Sequence, residues 1–429
     1  MKNIAILTLL NILFVFTSCE TKPNQVSNKV DYDKYLNKAD NTSLDFVNRE
    51  INFWETKYNK APNQASYLSI IASNYSKKFD ITANIDNLIT AENLLIQYNE
   101  SLNYSKVNPI RSLAKNYISQ HRFKEALVLA NKAKAIGEGI EETNKLLFDV
   151  EMELGNYEAA EASLNALKVK EFDYFIRAAK WNDHKGDLNT TISLMHKATA
   201  EAEKYDNKDL KIWCYTNLAD FNGHAGNIQE SYDNYLKALS LEPNNSYALK
   251  GIAWIVFSHE KNTEEAKRII DVISKRHNSP DFYLLKAEIA EYENNNAAQK
   301  ENLQKYAVAM KNEKYGAMYN KYNVLLNAED KTKVDVAVKI AKIEVDHRPT
   351  PVSYDLLAWS YFNAGENEKA LEIANKYVAG KSFEPELNYH LAVIYKANNE
   401  LEKVKEIKTD LMGSIYELGP SYEVKIKSL

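Results

Sequence analysis

The chain has 429 residues, of which 45% are hydrophobic and 26% charged, with only 12 glycines and 9 prolines. This composition excludes an intrinsically disordered chain, and the scarcity of helix breakers favours an all-helical protein. The formal net charge of −5 argues against nucleic-acid binding, because that requires a basic surface. Two cysteines are too few for a disulfide framework.

The first eighteen residues predict an export signal. Lys2 gives a positive start, and residues 4–16 are almost wholly apolar. Such a stretch is about 20 Å long as a helix, which is too short to cross a bilayer core comfortably. Small residues follow at 17 and 18 and a cysteine at 19, so we predict a signal peptide over residues 1–18.

The run from Phe16 to Cys19 resembles the lipobox of bacterial lipoproteins, although Phe16 departs from the more usual leucine. The resemblance implies lipidation of Cys19 and an outer-membrane anchor. The polar residues that follow predict a flexible tether, so that lipidated cysteine and tether together span 19–34. Surface-exported lipoproteins of the Bacteroidota often carry an acidic cluster after the cysteine. Here only Glu20 and Lys22 are present, so a periplasmic and a surface-facing location both stay open. An ordinary cleaved signal is the alternative.

One period, of about 34 residues, runs through most of the chain. Ala219, Ala253 and Ala287 follow one another at this interval, and Leu357-Ala358 recurs one period later as Leu391-Ala392. A period of this length predicts a solenoid of stacked helix pairs, in which each pair buries its apolar face against its neighbours.

The pattern within the period resembles the tetratricopeptide repeat (TPR). The clearest copy has Tyr354, Leu357-Ala358 and Tyr361, followed by a turn at Gly365. The resemblance covers about residues 35–418 and implies an all-α, right-handed superhelical solenoid of about nine or ten antiparallel helix pairs. The better copies lie at 109–279 and 350–418. Those at 35–108 and 280–349 are divergent, and whether 280–349 is a hinge stays open.

The C-terminal part predicts one more helix and a tail. Apolar residues recur at helical spacing from Leu401 to Leu418, and Gly419-Pro420 ends the helix. Residues 422–426 then alternate between polar and apolar, which is typical of extended chain. We therefore predict that residues 419–429 lie as an extended tail over the end of the stack.

No motif for a metal, a phosphate or a catalytic nucleophile occurs in the sequence, so we predict no catalytic residue, metal or cofactor. Cys214 is expected to be a buried, inert thiol. His184 and His224 each lie two residues before a turn glycine of neighbouring repeats. They are interpreted as solvated residues at helix ends, with a metal or anion site as the alternative.

The TPR resemblance implies a concave groove lined by the first helix of each pair. Aromatic side chains on that groove would anchor an apolar peptide or stack on sugar rings. With 28 tyrosines and 14 phenylalanines, packing between repeats is the alternative interpretation of the groove aromatics. The groove positions are Trp213, Asp220, Tyr247, Lys250, Trp254, Phe257, Asp355, Trp359, Phe362, Glu386 and Tyr389.

These features favour a non-catalytic, lipid-anchored scaffold that holds an envelope protein or peptide segment in its groove. No nucleic acid is expected as a partner, and the oligomeric state stays open. The alternative function is capture of a glycan or other small ligand, as in the SusD-like lipoproteins that also use TPR scaffolds. Long irregular insertions interrupt those scaffolds, whereas the period here is almost unbroken. A hydrolase has no support beyond scattered histidines and aspartates.

Overall fold

The computed structural model describes residues 25–38 and 40–429, and all regular structure within these ranges is helical. The predicted signal peptide, residues 1–18, and Cys19 lie outside the described residues. Two helices, α1 (Lys29–Leu36) and α2 (Thr42–Lys60), precede the repeats. None of the described helices is long and apolar enough to cross a membrane.

Ten antiparallel helix pairs follow α2 in the described part of the chain, each with a first helix joined to a second by a short turn. The pairs are α3 (Ser66–Thr82) with α4 (Ile85–Ser101), α5 (Val107–Ser119) with α6 (Phe123–Ile136), α7 (Ile140–Glu153) with α8 (Tyr157–Asn165), α9 (Phe172–His184) with α10 (Leu188–Lys204), α11 (Lys208–His224) with α12 (Ile228–Leu241), α13 (Ser246–Trp254) with α14 (Thr263–Ile273), α15 (Asp281–Tyr292) with α16 (Asn296–Ala309), α17 (Asn320–Glu329) with α18 (Val334–His347), α19 (Pro351–Asn363) with α20 (Asn367–Tyr377), and α21 (Pro385–Ala397) with α22 (Leu401–Gly413).

The residues that set the period also explain the pairing. Ala219 and Ala253 are fully buried and Ala287 is 4% exposed, because small side chains let the two helices of a pair approach closely. Asparagines cap the N-termini of several helices; the side chain of Asn207, for example, accepts a hydrogen bond from the backbone N–H of Leu210. The predicted all-α solenoid of about nine or ten helix pairs is confirmed.

The N-terminal segment differs from the predicted flexible tether. The backbone N–H groups of Val26 and Ser27 donate to Glu260 at 2.9 and 2.6 Å. Tyr32 is fully buried, and its hydroxyl donates to Glu265 at 2.9 Å. Residues 25–34 are therefore docked on the solenoid. The polar composition of this segment did not indicate a helix. Within α1, however, Tyr32 and Leu36 are one turn apart and both face the core.

The C-terminal part also differs from its prediction. The single helix expected over 401–418 is divided at Ser414 into α22 and α23 (Ile415–Leu418), and the expected extended tail is α24 (Tyr422–Lys427). An alternation of five residues is too short to distinguish a strand from a helix. Tyr422 and Ile426 are also one helical turn apart, and Ile426 is fully buried, so tertiary packing decides for the helix.

The solenoid curls until its later repeats contact its earlier ones. Arg348 donates to Glu153 at 2.9 Å, although the two residues are far apart in the chain. The ring of Phe383 lies so close to Gly186 that a methyl group at this glycine would be 2.6 Å from it. We call this junction, formed by Glu153 and Gly186 on one side and by Arg348 and Phe383 on the other, the seam.

The divergent repeats at 280–349 form the regular helices α15 to α18. Their departure from the repeat pattern is concentrated in the connection between α16 and α17, which contains a 3₁₀ turn at Glu313–Tyr315. Tyr315 packs there with Ile85 and Leu88 of α4, and Lys314 forms an ion pair with Asp86 at 2.5 Å. This connection is thus a contact with the first repeat.

Candidate functional site

The first helices of the later repeats are α11, α13, α15, α17, α19 and α21, and we call the surface that they present the inner face. Its charged side chains connect the first helices of different repeats. Lys250 on α13 lies 3.4 Å from Asp281 on α15, because equivalent positions of stacked repeats are neighbours in space. Lys321 on α17 lies 2.6 Å from Glu386 on α21, so this ion pair spans the intervening helix α19.

Asp220 is the hydrogen-bonding centre of this surface. Its carboxylate accepts hydrogen bonds from the hydroxyls of Tyr235 and, at 2.6 Å, Tyr247. Burial raises the pKa of Asp220, and the two hydrogen bonds offset this only in part. Tyr247 is nevertheless 57% exposed, so Asp220 holds an aromatic ring in place while the ring itself stays open to a partner.

The earlier repeats carry a ladder of ion pairs on their first helices. Lys145 bonds to Asp173 at 2.7 Å, and Arg177 bonds to Asp149 at 2.6 Å. Burial alone would raise the pKa of Asp173, but Lys145 and Arg177 hold it below its usual value. Since the charges of this ladder are paired between repeats, it offers no field of one sign to a ligand.

The C-terminal segment, residues 414–427, covers part of the inner face. Trp254 and Ser258 both donate to the backbone carbonyl of Tyr416, at 3.0 and 2.7 Å. Gly223 has no side chain to obstruct the Tyr416 ring, and Tyr422 lies edge-to-face on Tyr389 with 4.9 Å between ring centroids. The C-terminal ends of α11 and α13 are therefore occupied by the chain itself.

No family model and no curated protein matches this sequence. Solved structures that match include PilF of Pseudomonas aeruginosa, at 13% identity and a TM-score of 0.37 over 49% of this chain and 96% of that one. A tetratricopeptide repeat protein from Parabacteroides merdae matches at 19% identity and 0.33, over 57% and 93%. Human IFIT1 with PPP-AAAA matches at 14% identity and 0.46, over 76% of each chain. Matches this distant concern helical architecture and say nothing of ligands.

Two observations determine the architecture: the ten antiparallel helix pairs of the described residues, and the alanines that recur at the repeat period. This is a TPR-type α-solenoid.

The TPR solenoid leaves some predicted groove residues accessible and buries others. Trp213 is 41% exposed, and its ring lies edge-to-face on Phe172 at 6.2 Å. Tyr247 is also exposed, whereas the remaining accessible positions are partly covered by neighbouring residues. These half-buried positions are Asp220, Lys250, Trp254, Phe362, Glu386 and Tyr389.

Three groove predictions are wrong, because the residues are buried. Phe257 is fully buried in the core, since α13 continues into a π-helical segment, Ile255–His259, whose wider turn directs Phe257 inward. Asp355 and Trp359 are 2% and 8% exposed. His390 of the next repeat covers them: it bonds to Asp355 at 2.8 Å and stacks on Trp359 at 4.0 Å.

The two histidines beside turn glycines contact different residues. His184 stacks on Tyr157 with 4.0 Å between ring centroids, whereas Nδ1 of His224 lies 4.0 Å from Glu417. Within residues 25–38 and 40–429, no three histidine, cysteine or carboxylate side chains are arranged to hold a metal. The prediction of a buried thiol is confirmed: Cys214 is fully buried, and burial raises its pKa to about 11.

Proposed function

We propose that this chain is a non-catalytic, lipid-anchored scaffold of the bacterial cell envelope that holds a protein partner on the uncovered part of its inner face. One observation carries this proposal. Trp213 and Tyr247 are exposed on the first helices of adjacent repeats, at the ends of those helices that the C-terminal segment leaves open.

The distance along the helix explains why the site is open. Trp213 lies ten residues before Gly223, the point where Tyr416 packs, which is about 15 Å along α11. Phe172 supports the Trp213 ring, and Asp220 holds the Tyr247 hydroxyl. Aromatic side chains that are fixed before binding lose little entropy, and such residues dominate the energy of many interfaces.

The anchor is supported by the N-terminal sequence. A short apolar stretch followed by Phe16 to Cys19 resembles the signal of a lipoprotein, apart from Phe16 itself, and membrane attachment would then come from the lipid on Cys19. Such an anchor would hold the scaffold at the outer membrane, facing either the periplasm or the cell surface, with an envelope protein as its partner.

The glycan-capture alternative relied on Trp254 and Trp359 as platforms for sugar rings. Trp359 is buried, and the indole nitrogen of Trp254 is engaged by the Tyr416 carbonyl. One platform is thus buried and the other partly covered, so a protein partner is the better-supported ligand.

Site-specific crosslinking tests the proposal. A photo-crosslinking amino acid at position 213 or 247 is expected to capture one envelope protein in membranes. The same amino acid at position 205, where an exposed tyrosine caps the C-terminus of α10, serves as the control. The Cys19→Ala chain is expected to leave the membrane fraction and to lose the crosslink. Equal capture from position 205, or none from 213 and 247, would contradict the proposal.

The captured protein then allows a quantitative test. Trp213→Ala with Tyr247→Ala is expected to weaken its binding by at least about a hundredfold, since each aromatic anchor is worth about 2 kcal/mol. Tyr205→Ala is expected to leave the affinity unchanged.

A further inference from the structure

An aromatic cleft of about 520 Å³ opens at the seam, and none of the predicted groove residues lines it. One wall comes from the early repeats, where Tyr157 and His184 stack with 4.0 Å between ring centroids. The other comes from the late repeats, where Tyr354 and Tyr377 stack at 3.8 Å and are nearly parallel, at 5°. Phe383 stands at the edge and is 61% exposed. We call this site the seam cleft.

The charges of the seam cleft have one sign. Its lining includes Lys185 and Lys381 and no carboxylate, in a chain that carries 59 acidic residues. Neither lysine forms an ion pair within the described part of the protein. A larger cavity beside α22, about 610 Å³, is lined by Lys403 as well as by Glu406 and Asp410 and is thus of mixed charge. The seam cleft is therefore complementary to a ligand that carries negative charge.

The polar groups of the cleft identify the class of ligand. No carboxylate or amide side chain lines it, although these groups are the usual acceptors for sugar hydroxyls. Its side-chain polar groups are hydroxyls, ammonium groups and the imidazole of His184, all of which can donate. The Tyr157 hydroxyl and the His184 ring nitrogens make no hydrogen bond among the described residues, so they are free to bind.

A polyproline-II peptide matches this surface. It presents backbone carbonyls as acceptors and has few N–H groups to satisfy, since proline has none. Pyrrolidine rings pack well against aromatic side chains, and the extended conformation costs little entropy to bind. We infer that the seam cleft binds an extended, proline-containing peptide segment with acidic residues beside the prolines.

This inference goes beyond the proposed function, because it needs neither the lipid anchor nor the inner face. The inference also gives the seam a role in ligand binding. Since Tyr157 and His184 belong to one side of the junction and Tyr377 and Phe383 to the other, a bound peptide bridges early and late repeats and stabilises their contact.

Labelled peptides test the inference on the purified full chain in detergent. The probe is three repeats of Glu-Pro-Pro, about 28 Å long as polyproline II, with three repeats of Lys-Pro-Pro and of Glu-Gly-Gly as matched peptides. In fluorescence anisotropy, the first is expected to bind at least about tenfold more tightly than either of the others. Equal binding of the lysine peptide, or binding of none of the three, would overturn the inference.

Variants locate the binding. Phe383→Ala removes an exposed ring, and Lys185→Glu with Lys381→Glu reverses the charge without changing the stacked rings. Each is expected to weaken binding of the Glu-Pro-Pro peptide by at least about tenfold, whereas Tyr205→Ala leaves it unchanged. Unchanged binding in both cleft variants, or binding of trigalacturonate in place of the peptide, would also overturn the inference. Crosslinking from positions 213 and 247 is unaffected by any of these outcomes, so the two proposals fail separately.

Discussion

Nδ1 of His390 donates a 2.8 Å hydrogen bond to the carboxylate of Asp355, and both side chains are buried. Asp355 lies on α19 and His390 on α21, so the pair joins the last two repeats. Burial lowers the pKa of His390, but the charge and hydrogen bond of Asp355 outweigh it and the pKa is raised. Burial also raises the pKa of Asp355, and His390 offsets this only in part.

Removing one member of this pair should cost more than removing both. Asp355→Ala leaves His390 buried without its acceptor, and we expect it to lower the free energy of unfolding by about 3–5 kcal/mol. Asp355→Leu with His390→Leu replaces the pair by apolar packing and is expected to cost less. Urea unfolding of the two variants and the wild type decides this. A double variant as unstable as Asp355→Ala would show that the pair itself contributes the stability.

The pair should also make stability depend on pH. A raised histidine pKa contributes stability that is fully present below the unfolded value, about 6.5, and is lost as the pH rises through the folded value. The raised pKa of Asp355 acts in the same direction, with loss beginning above about pH 3.9. His390→Gln, which cannot titrate, is expected to show a smaller fall in stability between about pH 6 and pH 9. Parallel curves for wild type and variant would contradict this.

Glu288 should give a second pH effect on the inner face. Burial, and secondarily the nearby charge of Glu291, raise the pKa of Glu288 to about 8. Its Oε1 atom is buried and has no hydrogen-bond partner among the described residues. The stability that this carboxyl contributes is therefore present below about pH 4.3 and lost as the pH rises through about 8. Glu288→Gln is expected to raise the melting temperature relative to wild type at about pH 9, and an equal or lower value would refute the assignment.

Gly419 should hold the C-terminal segment in place. Its φ of +92° disfavours any side chain, and a methyl group there would collide with the Glu288 carboxylate. Gly419→Ala is expected to release α24 and to speed tryptic cleavage at Lys425. Gly413→Ala is the control, because Gly413 is helical and has no neighbour within 4 Å of a methyl group. Equal cleavage rates for the two variants would show that the segment is held elsewhere.

The seam offers a similar comparison between two glycines. Gly186 and Gly226 end first helices with φ of +78° and +77°, so alanine is strained by about 1 kcal/mol at either. Only at Gly186 does a methyl group meet another repeat, through the ring of Phe383. Gly186→Ala is therefore expected to increase the radius of gyration in small-angle scattering, whereas Gly226→Ala lowers stability alone. An unchanged radius in both would show that the seam does not depend on this contact.

The sequence predicts the repeats well because each helix pair depends on contacts within a single period. Ala219, Ala253 and Ala287 mark these contacts directly. The Asp355–His390 pair also had a signal, since the separation of the two residues is close to one period. The pattern of α19 alone places Asp355 on the groove, whereas His390 of the neighbouring helix α21 packs on that face.

The contacts across the seam had no such signal. Arg348 and Glu153 are several repeats apart in the chain, and their meeting depends on the small rotation added at each repeat. A periodic pattern indicates that helix pairs stack, but it does not indicate the rotation between one repeat and the next. For the same reason, nothing in the sequence indicated that Tyr416 would lie on α11 and cover part of the predicted groove.

If a lipid on Cys19 anchors the protein, the docking of the N-terminal segment limits the distance between the solenoid and the bilayer. Val26 is already fixed to Glu260, so only a short run of chain separates that point from Cys19. This run reaches at most about 25 Å even when fully extended. A lipid on Cys19 would thus hold the solenoid against the membrane surface, with the region around α12 and α14 nearest the headgroups. A partner could then reach the solenoid only on the sides that do not face the membrane.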